Sequence, residues 1–587
     1  MKKLSKILSV GLSLVMCASL VAPSFAASFS ELQWAIDTGE SVYHEDGTTY
    51  KIEASKDDAG AVNVKLHEDV VFDADKDTAS ESSVEYEMVT NYRSNYTVTS
   101  GIVVDAGANV TIDLNGNDID GDDKVDSVIK VNEGGELTLT DNSATGSAEE
   151  GTYESGAITG GARAGGVINE GTLTMDGGTI EDNTSTIGGG AGGVYNNGGT
   201  FTMNDGAIED NTSSSQGAGG VYNRGEDSTF TMSGGAIRDN EDSSLGAGGV
   251  QNKWGEFTMT GGTIEGNKGY NGGGVWNNWY GEFNMSGDAT IEGNVSLYSG
   301  GVLNGMQGSQ NTDYHAEFNM SGDASITGNV GVCEGGGFQN TGGTVNMSGN
   351  ASVTDNAGLR SGGASNRNGE ITMTDNATIA GNTSTYGGGV VLDVLSTLTM
   401  DGNATIEKNT ASLTEYLAIF EDIEVNTASK SFVNTYMPSL KKMADSGRGG
   451  GVYVVNTYVK LTMSGNAKIR NNTAAYMGDD ICTIDPATVS LVEFNLIEDS
   501  QWKLDNPADR EEGAEETMVL GQDTRGDVRW TAIPYMRDEL NPNSKAYFYG
   551  LTFYEPNTPD PDPDPNPNPD PDPVIDPTPD PDPVPDP

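Results

Sequence analysis

The chain has 587 residues, with 31 Lys+Arg against 87 Asp+Glu and a formal net charge of −56. A polyanion of this size does not seek nucleic acid or anionic lipid, which removes those partner classes. Gly accounts for 80 residues and Cys for only three, so neither a helical array nor a disulfide scaffold explains the composition.

Residues 1–26 read as an export signal: Lys2, Lys3 and Lys6, an apolar stretch from Ile7 to Val21, then Ser24-Phe25-Ala26 as a small-x-small cleavage site. Cys17 would serve a lipoprotein signal, but Val15-Met16 before it lacks the small residue that such a site needs. Removal leaves 28 basic against 87 acidic residues, 28 − 87 = −59. No later segment approaches the length of apolar chain that a transmembrane helix requires, so none is expected in the mature chain. Residues 27–100 read as an N-terminal cap with the first irregular coils. Ser28 and Glu31 fit a capping box, and Leu32, Ala35 and Ile36 form a one-face helical stripe ending near Gly39.

Residues 101–483 repeat. A Thr/Asn-Met pair recurs at Met175, Met203, Met232, Met259, Met285, Met320, Met347, Met373, Met400 and Met463, with intervals of 28, 29, 27, 26, 35, 27, 26, 27 and 63. After each Met comes an aliphatic residue and, three further on, an Asn, as in Ile180/Asn183 and Ile208/Asn211. A Gly-Gly-aliphatic step follows, as in Gly192-Gly193-Val194. Fixed self-similarity of this length means a solenoid. Phe201 and Met203 flank Thr202, which is strand alternation, and three such short runs per repeat describe a parallel β-helix of about 27 residues per coil. Met, the residue two before it, Ile and the residue after Gly-Gly then face inward. The Asn columns, such as Asn169, Asn196, Asn223, Asn252, Asn277, Asn304, Asn340 and Asn366, fall at turns, where their amides can bond coil to coil.

Ile180-x-x-Asn183 followed by Gly192-Gly193-Val194, and Ile379-x-x-Asn382-Thr383 followed by Gly387-Gly388-Gly389-Val390, resemble the repeat of polymorphic outer-membrane proteins. They are also similar to the right-handed β-helix surface proteins of Gram-positive gut bacteria, within the pectate-lyase-like superfold. The resemblance covers roughly residues 100–480 and implies a surface-exposed, adhesin-like protein. No C-terminal autotransporter barrel can be read here, which favours the Gram-positive type.

Residues 412–447 interrupt the repeat with helical spacing, as in Leu-Thr-Glu-Tyr-Leu-Ala-Ile-Phe, and read as an inserted segment, functional or a lid over the wall. Residues 484–556 leave the repeat and gather Trp502, Trp530, Tyr547, Phe548, Tyr549, Phe553 and Tyr554, as a C-terminal cap would. Residues 557–587 alternate Pro with Asp and Asn, an extended disordered spacer of roughly 90 Å. Such spacers look like wall-crossing stalks, although no sortase-type motif follows this one.

Chemistry is sparse. The three histidines, His44, His67 and His315, lie in no Gly-His-Gly, and Asn311-Thr312-Asp313 falls in the lengthened 35-residue interval. No carboxylate pair stands out from the regular ladder as general acid and base, so no catalytic residue is assigned and no cofactor is expected. An extracellular polysaccharide lyase or glycosidase remains the alternative, with Asp393 and 311–315 the first places to look. Asp118-Ile-Asp120-Gly-Asp122-Asp123 resembles half a calcium loop without its Gly and terminal Glu, and Glu181, Glu209, Glu265, Glu292 and Glu407 form an outward acidic column; Ca²⁺ is the one ion they invite, and no metal site is assigned. Arg525-Gly526-Asp527 is an integrin-type tripeptide, a weak match. The strongest binding signal is aromatic. Tyr195, Tyr222 and Trp276 occupy the outward position beside the Gly-Gly-Val step, and Trp254, Trp279 and Tyr280 stand at nearby turns. Outward rings of this kind stack on sugars or on a partner protein's apolar groups, or simply on each other. The expectation is a secreted, cell-surface, non-catalytic β-helix binding glycan or protein through its side wall, with an inert stalk as a further alternative.

Overall fold

The computed structural model describes residues 26–483, apart from 88–92, 144–154, 215, 307–314, 422, 444, 446, 456–458 and 477, together with four backbone strands between 493 and 554. The chain forms a right-handed parallel β-helix. One inward column holds Val64, Ile112, Leu139, Met175, Met203, Met232, Met259, Met285, Met320, Met347, Met373, Met400 and Met463, each opposite the next in parallel register. The long intervals do not break it: Met285 still lies opposite Met320, and Met400 opposite Met463. A second column stacks Ile180, Ile208, Ile237, Ile264, Ile291, Ile326, Val353, Ile379, Ile406 and Ile469. The third runs from Val167 through Val194 and Val221 to Ile481. Beside these three strands each coil carries a two-residue fourth, such as Thr184–Ser185 over Thr212–Ser213, too short to show alternation in the sequence.

The interior repeats as strictly as the backbone. Phe201, Phe230, Phe257, Phe283 and Phe318 stack face to face with centroids 4.7, 4.6, 4.7 and 4.9 Å apart, the spacing of the strands that carry them. Each such ring, fully buried, contributes roughly 1.5–3 kcal/mol relative to exposure. Two corners are fixed by asparagine ladders. In one, Asn169 Nδ2 donates to Asn196 Oδ1 at 2.7 Å, and the relay continues through Asn223, Asn252, Asn277, Asn304 and Asn340 to Asn366. In the other, Asn183 Nδ2 donates to Asn211 Oδ1 at 3.1 Å, and the relay reaches Asn472, whose amide ends on Asp480 Oδ1 at 2.8 Å.

The N-terminal end is closed by α1, Phe29–Thr38. Ser28 Oγ accepts from the Glu31 N–H, Glu31 Oε2 accepts from the Ser28 N–H at 2.8 Å, and Gly39 ends the helix at φ 71°. Phe29, Leu32, Ala35 and Ile36 bury their side chains on the first coil. At the far end the backbone of Tyr547–Tyr554 runs antiparallel to Ile481–Thr483, which pairs an otherwise open parallel edge. The signal segment up to residue 25, Trp530, Arg525-Gly526-Asp527 and the spacer lie outside the described residues.

Two pieces cover the outside of the wall. An antiparallel hairpin, Ser80–Glu87 with Arg93–Val104, lies where the sequence suggested only irregular coils. The insert forms α2, Leu413–Phe420, and α3, Thr427–Leu440, and folds back along the coils behind it. Tyr416, Phe420, Val425 and Met437 pack on Val295, Leu297, Val330, Val332 and Ala357. Asn426, the α3 N-cap, donates from Nδ2 to the Asp242 carbonyl at 2.7 Å. Cys333 lies beside this packing and Cys482 is buried in the last coil; both are free thiols.

Asp242 sits on a two-residue strand where other coils carry Ser213 or Ser296, and burial pushes its carboxyl up to about 7. Its proton therefore stabilises the fold most below the ordinary carboxylate range, and that stability is lost as pH rises toward 7.

Two tests follow from the interior. Asn267→Leu removes the acceptor of the Asn240 N–H and Nδ2 and the donor to the Ile237 carbonyl. At about 1–3 kcal/mol per orphaned buried group, it is expected to lower the denaturant midpoint strongly, whereas Asn346→Ala on the outer surface should leave it within about 0.5 kcal/mol. Asp242→Asn should flatten the thermal-stability profile between pH 4 and 7 and stabilise the protein above pH 7 by up to roughly 4 kcal/mol, read by calorimetry across that range.

Candidate ligand-binding face

The sheet formed by the strands after Gly-Gly turns alternate residues outward, and Tyr195, Tyr222 and Trp276 do occupy that position. They are not available to a ligand: their exposures are 0, 0 and 1%. The hairpin is the reason for the tyrosines. Tyr86 stacks on Tyr195 with centroids 4.7 Å apart, Val84 and Val98 complete the cluster, and Tyr195 Oη donates to the Glu85 carbonyl at 2.8 Å. Trp276 packs against Ala247 and Leu303 and donates from Nε1 to the Gly305 carbonyl at 2.9 Å. The sequence could not show this, because the covering strands come from more than 90 residues upstream and carry no repeat signature.

The remaining three aromatics form a different site. Lys253 and Asn278 are neighbours on consecutive strands, and Trp254 and Trp279 follow them at the corner. The two indoles lie 5.8 Å apart between centroids, and Lys253 Nζ stands 4.5 Å from one ring and 5.1 Å from the other. Trp279 is 6% exposed, Trp254 half-buried, and Tyr280 is 54% exposed beside them. Both tryptophans have positive φ, 62° and 58°. Coils before and after place Gly198, Gly225, Gly342 and Asn368 at this corner, residues that take the left-handed conformation easily. A Trp there costs about 1–3 kcal/mol of backbone strain. The signal was legible in the sequence, as Trp where the two preceding coils write Gly198 and Gly225, but only by aligning corner with corner.

Further along the same outward sheet stands a charged cluster. Arg360 reaches Asp393 at 2.6 Å and Glu334 at 3.4 Å, and Arg367 lies 3.9 Å from Asp393. Burial pushes the Glu334 carboxyl up, against the pull of Arg360. Burial would raise Asp393 as well, but Arg360 and the Val394 N–H hold it below the ordinary value. Two carboxyls driven apart around one guanidinium is the arrangement closest to an acid–base pair in the described residues; the sequence pointed to Asp393 alone, because the members come from three successive coils. Asn311-Thr312-Asp313 lies outside the described residues.

The histidines do not converge: His44 pairs with Glu68, His67 with Glu53, and His315 Nδ1 lies 3.1 Å from the Gly342 carbonyl. The Asp118–Asp123 carboxylates are largely taken up locally, with Asp120 Oδ1 accepting from the Asp122 N–H and Asp118 Oδ1 from the Ala157 N–H. In the acidic column, Glu209 meets Arg238 and Glu407 meets Arg470, while burial and the neighbouring Glu209 push Glu181 up to about 7. Among the described residues no three carboxylate, His or Cys groups are arranged to hold a metal ion, and no helix is long and apolar enough to cross a membrane.

The chain matches no protein-family model, no characterised relative and no solved structure. The site therefore has to be read from its own geometry.

Arg360→Leu tests whether the charged cluster is held together by its guanidinium. It should destabilise the protein at pH 8 by about 3 kcal/mol, as expected when one partner of a buried ion pair is removed. At pH 5 the loss should be smaller, because Glu334 can take up a proton; equal losses at both pH values in urea titrations would contradict this.

Proposed function

We propose that this is an extracellular, surface-displayed β-helix that binds a glycan or protein ligand without transforming it, at the Trp254–Trp279–Tyr280 corner of its side wall. The observation that carries this reading is the pair of tryptophans in left-handed corners on successive coils. Core packing does not require a left-handed Trp there, since the two preceding coils close the same corner with Gly198 and Gly225 and the next coil does so with Met306. Backbone strain retained on a half-exposed aromatic cluster points to recognition. The resemblance of the repeats to bacterial β-helix surface proteins agrees with it, as do the export signal read at 1–26 and the Pro/Asp spacer read at 557–587, which would hold the solenoid away from a cell wall.

A hydrolase or lyase is the second reading, favoured by the opposed carboxyls Glu334 and Asp393 around Arg360. Unsaturated products or new reducing ends from a polysaccharide panel, lost in Asp393→Asn, would establish it in place of the first.

The binding reading is tested on glycan and mucin arrays with the full secreted chain. Trp254→Gly and Tyr280→Ala should each weaken binding tenfold or more. Trp254→Gly should also raise the thermal midpoint, because it relieves a left-handed Trp. Unchanged binding in both variants removes the case for this corner. Amino-terminal sequencing of protein from medium and from cell walls tests the export and display.

A further inference from the structure

Directly behind the tryptophan corner lies a second, buried feature. Gln251 and Lys253 point outward from one strand, Trp276 and Asn278 from the next, with Gln251 opposite Trp276 and Lys253 opposite Asn278. All four are sealed from solvent. At the end of the row the Trp254 and Trp279 rings stand close against the Lys253 ammonium. Within it, both polar atoms of Gln251 and both of Asn278 lack a hydrogen-bond partner in the protein.

Four unpartnered amide atoms at this depth are costly, since a buried donor or acceptor left unmade forfeits about 1–3 kcal/mol. The asparagine ladder beside them handles its buried carboxamides without that loss. Asn252 and Asn277, one residue away on the same two strands, each donate to the next Asn of the ladder and to a carbonyl. Other coils fill the outward column with Leu303, Ser365 or Val391, which bring no such demand, or with Gln339, whose Nε2 donates to Thr341 Oγ1 at 3.3 Å. Gln251 and Asn278 thus add unmet hydrogen-bonding capacity to the very coils that carry the strained tryptophans.

Resting on the binding reading above, we propose that Gln251 and Asn278 are the polar floor of the site and that its ligand is a neutral hexopyranose unit of a glycan. A carboxamide offers a donor and an acceptor side by side, and so does each hydroxyl of a sugar, so two carboxamides on adjacent strands match two neighbouring hydroxyls. The apolar face of the same ring packs on Trp254 and Trp279 once they swing out to admit it, a movement led by the half-exposed Trp254. The chain's large excess of acid, 87 against 31, disfavours uronates and sialic acids at the same surface.

The experiment uses the full secreted chain and immobilised oligosaccharides of glucose, galactose and mannose, with polygalacturonate and a sialylated glycan as anionic counterparts. Gln251→Leu and Asn278→Leu are expected to raise the thermal midpoint and to weaken binding of the neutral oligosaccharide tenfold or more. A stability gain with binding changed less than threefold overturns the proposal, and if Trp254→Gly still abolishes binding, the corner itself stands. Preference for the anionic glycans overturns the ligand class. Absence of any binding by the wild-type chain removes the underlying reading as well. Monodeoxy hexosides put the same question without mutation. Tenfold losses at two adjacent positions support the proposal, and losses under threefold at every position overturn it.

Discussion

The coil-to-coil amide relay is the constraint on which the rest of this molecule depends. A parallel β-helix has no turn that fixes register, so a coil could slip by two residues and still pair its backbone. The Asn ladders remove that freedom, because each amide is used by the coil before and the coil after, and a slip would strand every donor and acceptor at once. In the second ladder the relay also takes the backbone, as when Asn294 Oδ1 accepts from the Asn267 N–H at 2.9 Å. The stacked Phe rings then need only occupy the space that this phase leaves them.

With the register locked, coil length becomes free. The surplus residues between Met285 and Met320 and between Met400 and Met463 depart and return without disturbing either ladder. Evolution of new surface on such a scaffold therefore happens in loops and in outward columns. The insert shows the first route, laying α2 and α3 back over apolar residues of earlier coils. The hairpin shows the second, since it roofs Tyr195 and Tyr222, which would otherwise form an exposed aromatic stripe.

In two adjacent coils two costly features coincide. These coils place Trp in left-handed corners and carboxamides without partners on the same strands. Either feature alone could be tolerated as a local defect. Together, in one patch of a wall that otherwise repeats faithfully, they mark where stability has been given up, which is how binding sites differ from the scaffolds that hold them. The Arg360 cluster differs in kind, since its carboxylates are matched by nearby guanidinium groups, as a structural ion-pair network would be.

The sequence by itself determined the solenoid, the inward columns, the Asn169–Asn366 ladder, the spacing but not the bonding of the second Asn column, the capped N-terminal helix and the helical insert. These rest on period and local spacing, and a repeated column is a long-range contact written locally: Met203 pairs with Met232 because both sit at the same phase. The sequence also singled out six aromatics as a binding face, and there it went only half way. Alternation correctly turned Tyr195, Tyr222 and Trp276 away from the core, but outward from a strand is not outward to solvent. Whether a residue meets water depends on segments that obey no repeat, the hairpin at 80–104 above all, and no pattern in the strand itself records what will fold across it. The tertiary structure alone decided that Trp254 and Tyr280 remain at the surface beside a buried Trp279, that Gln251 and Asn278 lie unpaired on the same strands, and that Glu334, Arg360 and Asp393 meet.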